Sequence, residues 1–156
     1  LNIFYTFLKL LKKNDNLKIF MDLNIRKKNW EKEDKMKKVL KKFLLLVDVV
    51  LLSEEDLQNI KHISIEKFQK SYSCKSKEIL FRKNNGTILY YSKNTLMNKI
   101  KCKLKNKVID TTGCGDSFNA SFIEGYLKNK KFDNIIKQSH NLASLVAMHR
   151  GAIITR

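Results

Sequence analysis

The chain has 156 residues, with 32 Lys and Arg against 15 Asp and Glu, a formal net charge of +17, 43% hydrophobic residues, three Cys and no Pro. That is the length of one domain or of a piece of a larger one, and the apolar content is too high for a disordered chain. No apolar run approaches the ~18 residues that a membrane-spanning helix needs, and Leu1 in place of Met suggests a chain whose beginning lies upstream.

The charge is not that of a nucleic-acid reader. Only Arg26, Arg82, Arg150 and Arg156 are Arg, and Lys is scattered along the whole chain beside abundant Asn and Ile. Proteins that read nucleic acid concentrate Arg and interleave aromatics on one face, so a nucleic-acid partner is not expected. Cys74, Cys102 and Cys114 are odd in number and have no CxxC spacing, which fits a reduced, cytoplasmic chain without zinc or a disulfide frame. His62, His140 and His149 share no metal-ligand spacing.

In chain order, the 3.6-residue period predicts an amphipathic helix over Ile3 to Leu11. A short buried strand follows over Leu17 to Leu23, delivering Asp22, Asn24 and Arg26 in alternation at its carboxyl end, where sites gather in open α/β sheets. Glu31 to Leu46 reads as a surface helix with one apolar stripe, and Val47 to Leu52 as a buried parallel strand leading into Ser53-Glu54-Glu55-Asp56. The order strand, helix, strand implies a right-handed βαβ unit. A short helix is expected over Ile65 to Ser71. Strands Glu78 to Arg82 and Thr87 to Tyr91 form a hairpin around Asn85-Gly86, whose residue types suit the positive φ of a tight turn. A further strand is placed within Lys99 to Val108, a loop over Ile109 to Gly115, and helices over Asp116 to Leu127 and Phe132 to His149, the last ending near Gly151.

The stretch richest in chemistry is Asp110-Thr111-Thr112-Gly113-Cys114-Gly115-Asp116-Ser117-Phe118-Asn119-Ala120. Two glycines where a loop becomes a helix let backbone N–H groups approach an anion, and the helix N-terminus adds about half a positive charge in the same direction. Asp116, in the first turn, is held ionised and can accept a proton from a hydroxyl, or can simply cap the helix. Base and anion hole together are what a hydroxyl needs to attack a γ-phosphate.

Extended to Phe122, the string DTTGCGDSFNASF closely resembles the C-terminal signature of the ribokinase (PfkB) carbohydrate kinase family, DTTGAGDxFxAGF, with Cys114 for Ala and Ser121 for Gly as the departures. LKIFMDLNIRKKNW, Leu17 to Trp30, is similar to the FDxNxRxxLW segment of the family's sugar-acid and fructose kinases. VDVVLLSEEDL resembles ADVVLLNEEEL, and Asn141 to Ala152 resembles the closing helix and its RxGA end.

The resemblance implies the C-terminal portion of a ribokinase-like three-layer α/β/α sandwich, residues 1–156 being part of a single kinase domain whose N-terminal half and β lid are absent. It implies ATP and Mg²⁺, with a monovalent cation such as K⁺ in some relatives, and a small sugar or sugar acid as acceptor, of the 2-keto-3-deoxygluconate or fructose kind. A homodimer is implied for the full-length protein. Position by position, Asp116 would be the catalytic base and Gly113, Cys114 and Gly115 the anion hole. Asp110 and Thr112 would sit at the monovalent cation, and Asn141 at the adenine pocket. Arg26 would lie near the substrate, where a guanidinium suits a carboxylate bidentately. The family's NxxE, tied to Mg²⁺ and phosphate, falls on Ser53 and Asp56, and its GxxG beside the nucleotide falls on Lys83 and Gly86. Ser53 loses an amide, Asp56 shortens the arm, and Lys83 either crowds the nucleotide or pairs with its phosphates. These departures and the halved length support an alternative: a catalytically silent remnant that at most binds nucleotide.

Overall fold

The apolar run after Asp48 becomes the centre of a sheet. In the computed structural model, which describes residues 2–61, 63–72, 77–103 and 107–154, strand β1 is Phe20–Asp22 and strand β2 is Val49–Ser53, with β2 buried along all but its last residue. Strand β3, Glu78–Arg82, lies on the other side of β2, and both neighbours run parallel to it. Strands covered on both faces read as continuous β-branched and aliphatic runs, as VVLLS does. Strand β4, Thr87–Ser92, pairs antiparallel with β3, and β5, Thr95–Lys101, completes the order β1-β2-β3-β4-β5. Mostly exposed and holding two lysines, β5 has the composition of an edge strand.

Helices α1 (Asn2–Leu11), α2 (Glu33–Leu44), α3 (Glu54–Asn59) and α4 (Ile65–Ser71) precede the hairpin, and α5 (Cys114–Leu127) and α6 (Phe132–Val146) follow it. The α2 stripe of Met36, Leu40 and Leu44 joins Val47, Val50, Leu52, Phe68, Ile79 and Phe81 in one apolar core. Glu33 and Asp34 in its first turn and Lys41 and Lys42 in its last complement the helix dipole. Asp48 ties the entry of β2 to what precedes it, accepting from the Ile19 N–H at 2.9 Å and pairing with Lys12.

The chain divides into two compact units, residues 1–84 with 88–99 and residues 85–87 with 100–156. The first holds the parallel strands, the core and α1 to α4. The second is built on α5 and α6, where Gly125 admits close packing: a Cβ there would lie 2.8 Å from Ile135 Cγ1.

The α/β expectation and most of its elements hold, with informative shifts. β1 starts at Phe20 rather than Leu17 because the Asp48 carboxylate takes the Ile19 N–H out of the ladder. α5 starts at Cys114 rather than Asp116, with Gly113 as N-cap at φ 76° and its carbonyl accepting from the Ser117 N–H at 2.9 Å. α6 stops at Val146, and the Ala147 carbonyl turns to the Ile109 and Asp110 N–H groups at 2.8 and 3.2 Å. The expected hairpin of β3 and β4 forms with Gly86 at positive φ, and a second, tighter turn that was not expected follows it. Lys93 and Asn94, φ 49° and 65°, join β4 to β5 as a two-residue turn, whereas Gly86 (φ 82°) sits in the longer connection between β3 and β4. Consequently the strand expected within Lys99 to Val108 begins earlier, at Thr95, and residues 104–106 of that range lie outside the described residues, as do His62 and Cys74. Helix α3 was not foreseen. Among the described residues no helix is long and apolar enough to cross a membrane.

Candidate active site

The Asp110–Asp116 string forms a braced loop that feeds straight into α5. Asp110 Oδ1 accepts from the Thr112 N–H at 2.9 Å and the Thr112 hydroxyl at 2.7 Å, and Oδ2 accepts from the Gly151 N–H at 2.9 Å. Those bonds, the Thr112 hydroxyl first, hold the carboxyl down at about 2. Gly113 takes a left-handed φ that L side chains resist, and a Cβ on it would stand 2.6 Å from the Ala152 Cβ, so only glycine fits. Gly113 offers no capping side chain to the first turn of the 14-residue helix.

Asp116 stands in that first turn and is exposed to solvent, while Phe118 and Phe122 of the same helix are buried. Alternation between a solvent-facing carboxylate and core aromatics is set by the 3.6-residue period. Of the three residues expected to line the anion hole, Cys114 has its N–H directed to the Thr111 carbonyl at 3.2 Å. Its half-buried thiol is pushed above its ordinary value by burial and then by Asp110, so it behaves as a small packing group in the place of the expected alanine. Asn141 is exposed on α6, one residue after His140, whose Nε2 lies 2.9 Å from the Lys103 carbonyl. Gly86 belongs to the same unit and accepts from the Cys102 N–H at 2.9 Å.

The first unit carries the remaining candidates. Arg26 is exposed at the end of the segment after β1, with Nη1 3.3 Å from Glu55 Oε1, a pair weak enough to yield to a ligand carboxylate. Ser53 and Asp56 form a capping box at the start of α3. The Ser53 hydroxyl accepts from the Asp56 N–H at 3.2 Å, while Asp56 Oδ2 accepts from the Ser53 N–H at 2.8 Å. Asp56 Oδ1 also accepts from the Ile25 N–H at 2.7 Å, and the residue is only 3% exposed. Lys83 is half-buried beside Asn84, whose N–H donates to Glu54 Oε2 at 2.9 Å.

Hydrogen bonds thus already occupy the carboxylates of Asp56 and Asp110. Among the described residues no three His, Cys, Asp or Glu side chains gather as a metal cage. The residues present do not fit a directly ligated Mg²⁺ at Ser53 and Asp56. Sequence reasoning missed Gly151 and Ala152 as the support behind Gly113, although the RGA end was visible, and missed Glu55 and Asn59, for which no local signal exists.

Residues 4–156, nearly the whole chain, match the pfkB family of carbohydrate kinases. The chain belongs to that family. Among curated relatives, 2-dehydro-3-deoxygluconokinase of Haemophilus influenzae is 28% identical over 141 residues, covering 88% of this chain and 45% of that protein. A sugar kinase of Pyrococcus horikoshii solved in complex with ATP superposes with a TM-score of 0.71 at 28% identity, over 94% of this chain and 47% of the other. The 2-dehydro-3-deoxygluconokinase of Thermotoga maritima gives 0.71 at 21% identity, over 97% and 50%, a likeness of fold. The pfkB chain spans about half the length of the curated relatives it matches. Its fold is the ribokinase-like α/β fold of these neighbours, and its family is one of phosphotransferases.

Proposed function

We propose that this protein transfers the γ-phosphoryl group of ATP to a hydroxyl of a sugar acid of the 2-keto-3-deoxygluconate type. The single observation behind this reading is the braced, glycine-capped start of α5, which leaves Asp116 exposed and uncapped in a family of carbohydrate kinases. Two of the named relatives are 2-dehydro-3-deoxygluconokinases, and Arg26 is the cation suited to such an acceptor's carboxylate.

In this reading Asp116 accepts the proton of the acceptor hydroxyl as its oxygen bonds to the γ-phosphorus. The bond from that phosphorus to the bridging oxygen breaks, and ADP leaves with the electron pair. The α5 N-terminus stabilises the charge on the transferring group, and for the Gly113–Gly115 turn to join it the Cys114 N–H must leave the Thr111 carbonyl that it meets at 3.2 Å. Asn141 is assigned to the adenine, and Lys83 and Gly86 to the nucleotide's phosphate side. Mg²⁺ carried in by the nucleotide would supply charge neutralisation on the phosphates, with neither Ser53 nor Asp56 ligating it directly. Because Ser53 and Asp56 cap each other, their role is to hold α3 and the Ile25 backbone next to Arg26. The three bonds on Asp110 assign it and Thr112 to bracing the loop, and no step is given to a monovalent cation.

The test is ADP release with ATP, Mg²⁺ and 2-keto-3-deoxygluconate. Asp116→Asn is expected to lower kcat by about 10²- to 10⁴-fold while ATP binding, followed by calorimetry, persists. Unchanged turnover in that variant overturns the assignment of the base. ATP binding without turnover in the unmodified chain favours the second reading, a silent nucleotide-binding form, which the capped Asp56 and the half-length match support.

A further inference from the structure

The unit that holds β1 to β3 contains a cleft of about 270 Å³ lined by Lys27, Trp30, Glu33, Met36, Asn59 and Lys61, none of which has a role in the phosphoryl transfer. Met36 at 2% exposure gives it an apolar floor, and Trp30, half-buried against the core, an aromatic wall. Glu33 is already neutralised: its two oxygens pair with Lys37 at 2.6 Å and Lys61 at 3.3 Å. Lys27 has no carboxylate partner among the described residues, so the two lining lysines leave one positive charge in excess over Glu33. A small concave site with an aromatic wall and a few converging polar groups is the usual form of a metabolite pocket. The surplus charge selects an anion, and the indole selects a planar one.

The cleft is also mechanically close to the candidate acceptor arginine. Lys27 follows Arg26 directly and opens the 3-10 turn Lys27–Asn29. Asn59, which also lines the cleft, donates from Nδ2 to the Ile25 carbonyl at 2.8 Å, one residue before Arg26. Residues tied to the cleft thus adjoin Arg26 on both sides along the chain.

We propose that this cleft binds a small planar organic anion of the aromatic carboxylate class, its ring on Trp30 and its carboxylate at Lys27 and Lys61, and that the occupant steadies the Ile25–Trp30 segment. The effect on Arg26 rests on the kinase reading above; the binding itself does not.

Trp30 is the single tryptophan of the chain, so its fluorescence reports the cleft alone. Benzoate titrated into the protein without ATP is expected to change that emission saturably. Benzamide, flat but neutral, should bind about tenfold more weakly, and Lys27→Met or Lys61→Met should each weaken benzoate about threefold, the scale of an exposed ion pair. Lys93→Met, on the β4–β5 turn, is the control and should leave binding unchanged. Lys27 makes no ion pair that folding depends on, so its variant remains informative if Lys61→Met proves unstable. Linear, unsaturating quenching with equal slopes for benzoate and benzamide overturns the proposal, as does unaltered benzoate affinity in Lys27→Met. Either result leaves the Asp116 test untouched, and failure of the Asp116 test leaves the fluorescence result standing.

Discussion

Asp56 and Asp116 occupy the same position of two helices, the third residue of α3 and of α5, and have opposite fates. Asp56 is preceded by Ser53, a capping residue with a hydroxyl, and lies within reach of the Ile25 N–H, so its carboxylate is buried and fully engaged. Asp116 is preceded by Gly113, which has no side chain to reciprocate, and its carboxylate stays in solvent. Both stand in the first turn of a helix, where the dipole favours a carboxylate. What separates the buried carboxylate from the exposed one is therefore the N-cap residue three positions back together with the Ile25 N–H that reaches Asp56.

The largest expected effect on stability tests that division directly. Asp56→Ala removes a capping box and leaves the buried Ile25 N–H without an acceptor. Together these cost about 3 kcal/mol in urea-denaturation midpoints and slopes. Asp116→Ala, at the matching position, should stay within about 0.5 kcal/mol, as exposed substitutions do. Equal losses at the two positions would erase the distinction. A smaller effect, about 2 kcal/mol, is expected for Gly113→Ala, which forces a methyl-bearing residue into φ 76° against Ala152. Adding Ala152→Gly should recover the part of the loss due to the Ala152 Cβ and leave the part due to its Cα at 2.9 Å and to the positive φ, which a double-mutant cycle reads separately.

How much of this was legible beforehand follows from where the information resides. The Asp110–Phe122 string was legible because its glycines, carboxylate and core aromatics are contiguous and each needs its own residue type. The β2 run and the α2 stripe were legible from periodicity alone. The role of Asp56 was not, because its decisive partner, Ile25, lies 31 residues away. The Lys93-Asn94 turn was also hidden, since Lys93 gives no sign of a positive φ and the pair lacks the glycine that marks Asn85-Gly86, and the strand after it was placed too late in consequence. The Gly151 contact spans 41 residues and was equally invisible as spacing, though the motif that contains it was recognised.

Asp110 supplies the finest discrimination, because it is a brace within the loop that displays Asp116. Its carboxyl is held at about 2, below the ordinary 3.8, by the Thr112 hydroxyl, the Gly151 N–H and the Thr112 N–H. A folded-state pKa below the unfolded one means that the brace contributes in full above about pH 4 and is lost as pH falls through about 2. Followed by NMR, the Gly151 and Thr112 amide resonances should therefore move with a midpoint near 2, and Asp110→Asn should abolish that titration. A midpoint near 4 would mean that Asp110 is no more engaged than a solvated carboxylate. The start of α5 would then be open at Asp110 as well as at Asp116, and the contrast with the closed box of α3 would extend to the whole loop.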